Sequence, residues 1–298
     1  MPLPSLFIDK LAVTISLEAD RQSEVHDAAN DAIHEWDEFV VLENPRSSGY
    51  RSKFSFTVAN GGRASLFFQP TNPRNNYFKL EYSPNNFGGA GLALLGEYLQ
   101  QILGDTYLTD IREADLRRLD VAFDVRRVRL KDLLITDRDS RKSIIYRGEQ
   151  GEAETFYFPP DGKRQLCVYD KLKEDLDKRG PSAPNRRRAP WVRFEFRFKS
   201  LSNYTLNSIA GRLENPFQNF EVRHFGITQP RIPAERLRMF FDGCRLAGVD
   251  SVLEEITDTA TRDYLALAYR SLPVPNFWLR RTSIWGRLPR AIENALPR

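Results

Sequence analysis

The segment RLDVAFDV (Arg118–Val125) alternates apolar residues with charged or small ones. Because successive side chains of a β-strand point to opposite faces, this pattern predicts a strand with one apolar face. The other face carries Arg118, Asp120 and Asp124, with Ala122 between the two aspartates. A charged face is typical of the hydrated side of a sheet, but two aspartates separated by a methyl group also leave a gap suited to a cation.

The rest of the chain predicts further strands and several helices. Alternating or β-rich runs predict strands at 11–19, 77–83, 155–158, 165–171 and 191–199, and a hairpin over 54–70. Helical spacing predicts helices at 21–36, 88–103, 130–134, 201–213, 233–247 and 258–271. A Pro- and Arg-rich segment at 178–190 predicts a mobile loop.

These elements predict an α+β fold. We expect a large, mainly antiparallel sheet with helices packed on one face, followed by a smaller helical C-terminal part. The change of pattern places a first domain at 1–214 and a helical region at 215–298.

Bulk composition limits the class of protein. The 298 residues carry a net charge of +4. No run approaches the ~18 apolar residues of a membrane helix, and the first residues lack the features of a signal peptide. Cys167 and Cys244 form no CxxC pair, so neither a disulfide framework nor a zinc site is expected. We therefore expect a cytosolic protein without a membrane partner.

Basic residues are concentrated in two segments. Seven Lys or Arg and one acid lie at 178–197, and five Arg lie at 271–298 together with Trp278 and Trp285. Basic patches interleaved with aromatic residues suit the backbone and bases of a nucleic acid. A hydrated surface with a basic tail accounts for them as well.

A second charged strand, QLCVYDK (Gln165–Lys171), places Tyr169 and Lys171 on one face. Glu174 follows one turn later if a helix begins at Leu172. A tyrosine hydroxyl is a weak nucleophile at its ordinary pKa of about 10, and a nearby cation favours the phenolate. Carboxylates can hold Mg²⁺ or Mn²⁺ against a phosphodiester. The spacing alone indicates no more than metal-assisted phosphoryl transfer.

Three segments, RLDVAFD, VYDKLKE and VRFEFR, follow one another in the chain. They look like R-x-D-x-A-x-D, Y-D/E-K-x-x-E and R-x-E-x-R motifs. The set resembles the trans-acting replication initiators of rolling-circle plasmids and filamentous phages, together with related relaxases of mobile elements. The resemblance spans Arg118 to Arg197. It implies a site-specific single-strand DNA endonuclease and strand transferase that remains joined to a 5′ phosphate through tyrosine.

The resemblance also implies roles for single residues. Tyr169 would be the nucleophile and Lys171 its electrostatic helper, although Tyr146 and Tyr157 are alternatives for the nucleophile. Many relatives use a His-hydrophobic-His pair as metal ligands, which this chain lacks, so a carboxylate site for Mg²⁺ or Mn²⁺ is implied. The implied metal ligands are Asp120, Asp124, Glu174 and Glu195. The residues expected to contact phosphate or orient these carboxylates are Arg118, Arg193 and Arg197.

The implied partners are origin DNA, as a single strand or a hairpin, a host helicase, and a second copy of the chain in a homodimer. Residues 1–214 would carry the chemistry. The helices of 215–298 and the Arg- and Trp-rich residues that follow them would suit origin recognition, and packing against the sheet explains these helices equally well. Three other functions remain open at this point: a DNA-binding replication or control protein without catalysis, a relaxase for mobile-element transfer, and a metal nuclease that uses water.

Overall fold

A computed structural model describes residues 3–45, 49–137, 143–149, 151–159, 163–179, 189–201, 203–224 and 233–298. The strands in these residues are β1 (Leu6–Ile15), β2 (Val40–Glu43), β3 (Tyr50–Thr57), β4 (Arg63–Pro70), β5 (Phe78–Tyr82), β6 (Asp115–Arg126), β7 (Leu133–Asp137), β8 (Ile144–Arg147), β9 (Ala153–Phe158), β10 (Arg164–Asp170), β11 (Trp191–Phe198) and β12 (Phe220–His224). The helices are α1 (Ala19–Glu35), α2 (Pro84–Leu103), α3 (Tyr107–Glu113), α4 (Lys171–Arg179), α5 (Leu206–Arg212), α6 (Ala234–Ala247), α7 (Val249–Glu254), α8 (Thr259–Ser271), α9 (Asn276–Leu279), α10 (Arg281–Trp285) and α11 (Leu288–Ala295).

The chain divides into two compact units, each built from three segments. Unit 1 comprises Met1–Leu6, Ala122–Arg197 and Glu214–Arg287, and unit 2 comprises Phe7–Val121, Phe198–Leu213 and Leu288–Arg298. This division differs from the expected one at 1–214 and 215–298. The physical reason lies in unit 1, where Phe194 of β11 packs 5.4 Å from Trp278 of α9, so strands and C-terminal helices share one core.

The expected α+β fold with a large antiparallel sheet and a helical C-terminal region is confirmed. The strand order is β2-β3-β4-β5-β1-β6 in unit 2 and β6-β11-β10-β9-β8 in unit 1, because β6 contributes residues to both. The register is antiparallel where it is defined, for example with Leu11 opposite Tyr82 and Leu166 opposite Phe158. Strands β7 and β12 form a separate antiparallel pair in unit 1.

Unit 2 packs α1 and α2 on its strands. The side chain of Phe56 in β3 lies 5.4 Å from Tyr98 of α2, and the two rings are stacked. The predicted hairpin is present as β3 and β4. Its turn contains Gly61 with a φ of 88°, a left-handed conformation that a glycine adopts without strain.

Unit 1 has two apolar clusters. One covers a face of β6 and β11, where Phe123 stacks on Phe194 at 5.1 Å and meets Phe217 edge-on at 5.2 Å. The other joins α6 and α8 to β7 and includes Cys244, which is buried as expected of a core thiol. Burial raises the pKa of Cys244 to about 12, so this thiol stays protonated.

Several sequence predictions differ from the structure in detail. The helix predicted at 130–134 is a single 3-10 turn, Leu130–Asp132, that leads directly into β7. Most of the loop predicted at 178–190 lies outside the described residues. None of the helices in the described part of the chain is both long enough and apolar enough to cross a bilayer.

Candidate active site

Strands β9, β10 and β11 carry a polar face in unit 1. Antiparallel pairing places Tyr169 of β10 opposite Thr155 of β9, and Cys167 opposite Tyr157. The neighbouring apolar side chains on the same strands are buried. Because alternate residues of a strand share a face, the expected separation into an apolar and a polar side is what brings the candidate site together.

A short chain of hydrogen bonds connects three of the predicted site residues. The Tyr169 hydroxyl donates to Oε2 of Glu195 at 3.2 Å, and Nε of Arg197 donates to Oε1 of the same carboxylate at 2.6 Å. Glu195 is only 3% exposed. The phenol proton therefore already points at a buried carboxylate, which a guanidinium holds in place.

Tyr169 lines an open cavity of about 510 Å³ in unit 1. The cavity lies between β9, β10 and α4, and its lining mixes both signs of charge. Residues that the sequence analysis did not select also line it, among them Glu154, Lys173 and Asp177. Lys173 forms an ion pair with Glu154, which ties α4 to the neighbouring strand.

Lys171 does not lie on the strand face with Tyr169, because β10 ends at Asp170 and α4 begins at Lys171. The reason is an N-terminal cap. Oδ1 of Asp170 accepts a hydrogen bond from the backbone N–H of Lys173 at 3.0 Å, which satisfies one of the free N–H groups of the first helical turn. The Asp before the helical run KLKEDLDK was a usable signal for this boundary.

The Lys171 ammonium still lies near the tyrosine, 6.0 Å from the centre of the Tyr169 ring. Its charge is shared with α4, since it pairs with Glu174 and with Asp175, the latter at 3.3 Å. Burial acts to raise the pKa of Glu174, but hydrogen bonds from Lys171 and Lys178 outweigh it and hold this pKa below its usual value. Glu174 is therefore a carboxylate bound to two lysines.

Asp124 forms a salt bridge with Arg193. Nε of Arg193 lies 2.8 Å from Oδ1 of Asp124, and the second guanidinium nitrogen lies 3.2 Å from Oδ2. The Arg193 side chain is 5% exposed and the Asp124 side chain 20%. The Asp124 carboxylate is thus already bound by a bidentate guanidinium.

Asp120 is also paired, within its own strand. Nε of Arg118 lies 2.9 and 3.0 Å from the two carboxylate oxygens, and a terminal nitrogen lies 2.6 Å from Oδ2. Asp120 is 1% exposed. Both residues belong to unit 2, whereas the other predicted site residues belong to unit 1.

The four predicted metal ligands therefore do not form a ready ligand set in this arrangement. Each carboxylate accepts hydrogen bonds or ion pairs from an arginine or a lysine; the four are Asp120, Asp124, Glu174 and Glu195. Within the described ranges, no three His, Cys, Asp or Glu side chains are grouped so that they could hold a metal ion. A divalent ion would have to displace part of this pairing, and metal dependence stays a prediction.

The alternative tyrosines have different surroundings. The Tyr157 ring lies 5.6 Å from the Arg197 guanidinium, and burial together with Cys167 raises its pKa against the opposing effect of that arginine. Tyr146 is 57% exposed and meets Tyr157 edge-on at 5.7 Å. The hydroxyl of Tyr169 has the more favourable position, because it donates to a carboxylate at the edge of an open cavity.

Neither models of protein families nor curated protein sequences match this chain.

Proposed function

We propose that this protein is a rolling-circle DNA replication initiator, a site-specific endonuclease and strand transferase that uses Tyr169 as its nucleophile. The observation that carries the proposal is the hydrogen bond from the Tyr169 hydroxyl to the buried Glu195 carboxylate, at the edge of an open cavity. A tyrosine that forms a covalent intermediate needs a neighbouring base and access to substrate, and this residue has both.

The proposed reaction is a transesterification. The Tyr169 oxygen attacks the phosphorus of one phosphodiester, its proton passes to Glu195, and the bond from phosphorus to the 3′ oxygen breaks. The 3′ oxygen leaves as a hydroxyl after taking up one proton, so the overall proton balance is zero. A 5′-phosphotyrosine bond remains. Because one phosphodiester replaces another, a later attack by a 3′ hydroxyl can reseal or transfer the strand.

Arg197 has a positioning role in this reaction. Its 2.6 Å bond to Oε1 leaves Oε2 of Glu195 directed at the phenol. Its guanidinium also lines the cavity, where positive charge favours the phosphate of a substrate. In the proposal Arg197 therefore orients the base Glu195 and also attracts the phosphate of the substrate.

The expected Mg²⁺ or Mn²⁺ would neutralise non-bridging phosphate oxygens, and no step above depends on it. Single-stranded or hairpin origin DNA is the proposed substrate. A host helicase and a homodimer are implied by the resemblance alone, and origin recognition by 215–298 rests on the Arg- and Trp-rich segment of that region.

Covalent attachment tests the proposal. Single-stranded fragments of the DNA that flanks the gene, labelled at the 3′ end, are incubated with protein and with Mg²⁺, Mn²⁺ or EDTA, and then separated on a denaturing gel. The wild type is expected to shift the label to the protein band, and Tyr169→Phe is expected to abolish this shift. The matched variants Tyr146→Phe and Tyr157→Phe should retain it.

The outcomes separate the alternatives. An adduct that persists in Tyr169→Phe overturns the choice of nucleophile. Cleavage without attachment refutes tyrosine chemistry and favours a water-using nuclease. A thermal melt of Tyr169→Phe is the control for folding, since a phenylalanine removes only one hydroxyl from a half-buried site.

One observation favours a second candidate, a DNA-binding replication or control protein without catalysis. The four carboxylates predicted as metal ligands are all paired with protein cations, as they would be on a purely structural sheet face. DNA binding without cleavage or attachment, in the presence of either metal ion, would support this candidate.

A further inference from the structure

Unit 1 contains a second cavity, of about 590 Å³, that shares no lining residue with the Tyr169 cavity. It lies at the end of β6, beside the end of β12 and the start of α9. A volume of this size is within the range of cavities that hold small organic ligands, about 300–1,000 Å³.

The walls of this second cavity are mainly apolar. Val125, Val128, Pro275 and Phe277 line it. The Phe277 ring packs in a tilted arrangement on Phe194, with the two ring centres 5.7 Å apart. A fixed, partly exposed aromatic ring between aliphatic walls is a stacking surface for a planar group.

The edge of the cavity is cationic. Arg126, Arg127 and Arg280 line it and are exposed. Asp124 is the acidic residue in the lining, and its carboxylate is already bonded to Arg193. Neither Arg127 nor Arg280 forms a salt bridge with a residue in the described part of the chain. The local field therefore favours an anion.

Arg127 has an unusual backbone conformation. Its φ is 63°, in the left-handed region where glycine is normally preferred, and its N–H donates to the carbonyl of Pro190 at 2.6 Å. Such conformations of residues other than glycine are concentrated at ligand-binding positions, where the surrounding structure enforces them. An arginine in a conformation that favours glycine therefore indicates that its side chain is needed here, for example to bind a ligand.

We propose that this cavity binds one nucleotide unit of single-stranded DNA. The base stacks on Phe277, and the phosphate binds Arg127 and Arg280. The side chains of Asn276 and His224, which also line the cavity, supply hydrogen-bonding groups for the edge of the base. The choice of DNA as the ligand rests on the proposed function. Binding at this cavity does not require that the protein cleaves DNA. A free nucleotide has the same chemistry, and the experiment distinguishes the two sources.

Fluorescence anisotropy with a labelled oligothymidylate tests the site, using full-length protein in a Tyr169→Phe background so that no strand is cut. Arg127→Gly is expected to weaken binding by at least about tenfold, the loss of one charged phosphate contact. It should also lower the slope of log K against log salt by about 0.7. Glycine suits the φ of 63°, so the fold is expected to be retained.

Two matched variants serve as controls. Arg129→Ala removes an arginine that is exposed like Arg127 but lies outside the cavity lining, and it should change binding by less than about twofold. Gln69→Gly replaces a second described residue, in unit 2, that has a positive φ and is not glycine, and it should leave binding unchanged. Phe277→Leu keeps apolar volume but removes stacking, and about tenfold weaker binding is expected.

Equal effects of Arg127→Gly and Arg129→Ala would overturn the inference, because binding would then follow diffuse charge. Displacement of the oligomer by thymidine monophosphate alone, at similar concentration, would assign the cavity to a free nucleotide and overturn the strand assignment. Weakened binding in Arg127→Gly together with a wild type that never forms a covalent adduct would sustain this site and refute the proposed chemistry. If the wild type forms the adduct while Arg127→Gly and Phe277→Leu bind the oligomer as tightly as the wild type, the proposed chemistry is supported and the nucleotide site is refuted.

Discussion

Replacement of Asp124 by alanine separates a structural role of this residue from a metal-binding role. In the structure both carboxylate oxygens accept from the buried Arg193 guanidinium, at 2.8 and 3.2 Å. Asp124→Ala removes both bonds and leaves that charge without this partner. If the pair is the role of Asp124, the variant should be less stable at every metal concentration.

The size of the effect follows from burial. Breaking a buried ion pair on one side costs about 3–5 kcal/mol. Because the Asp124 side chain is 20% exposed while that of Arg193 is 5% exposed, we expect the lower end, about 3 kcal/mol. For units of about 150–250 residues, 1 kcal/mol corresponds to roughly 2–4 °C, so Tm should fall by roughly 6–12 °C.

The assay is urea and thermal unfolding followed by circular dichroism, with and without Mg²⁺. The double variant Asp124→Ala/Arg193→Met is the control, since it also removes the buried charge that Asp124 had bonded and should recover part of the loss. Lys178→Ala breaks a pair with Glu174 whose lysine side chain is 67% exposed, and it should cost less than about 1 kcal/mol.

Two results would refute this reasoning. One is a single variant that is as stable as the wild type. The other is a wild type that Mg²⁺ stabilises while Asp124→Ala loses only that increment, because Asp124 would then act as a metal ligand in place of a partner for Arg193.

Two further predictions concern unit 2. Tyr82→Phe should lower the free energy of unfolding by about 1–2 kcal/mol, because the buried Tyr82 hydroxyl donates to the carbonyl of Ala295 at 2.8 Å. The control Tyr98→Phe should leave it unchanged, since the Tyr98 hydroxyl is buried with no partner in the described residues. Equal losses of stability in urea unfolding of the two variants would contradict this prediction. Burial acts to raise the pKa of Glu81, but ammonium groups at 2.5 and 2.9 Å lower it from 4.5 to about 2. Its contribution to stability is therefore complete above pH 4.5 and is lost as the pH falls towards 2. The difference in urea midpoint between wild type and Glu81→Gln should shrink over this interval, and a constant difference would contradict the assignment.

The elements that the sequence predicted best are those in which a local pattern decides the structure. Alternation located β6 and β11, and the Asn-Gly-Gly turn located the hairpin of β3 and β4, because face and turn geometry depend on adjacent residues. The same alternation placed Tyr169 and Cys167 on one face of β10. Short elements such as β8, β12 and α9 to α11 have too few residues to show a period.

Partners across strands could not be predicted in the same way. The sequence placed Asp124 and Arg193 on polar faces but gave no register between β6 and β11, so their pairing was not visible. The surroundings of Arg127 could not be predicted for a similar reason. A left-handed φ in a residue other than glycine has no signature in composition, and the cavity that Arg127 lines is formed by segments that are distant in sequence, at 3–4, 124–128, 224 and 275–280.

The three-segment construction of each unit has a consequence for biosynthesis. The hydroxyl of Tyr82 finds its acceptor only when Ala295 is present, 213 positions later. Strands β3, β4 and β5 can therefore pair early on the ribosome, while unit 2 stays incomplete until residues 288–298 have emerged. We expect contacts so distant in sequence to slow the final step of folding and to prolong the exposure of apolar surface on the nascent chain.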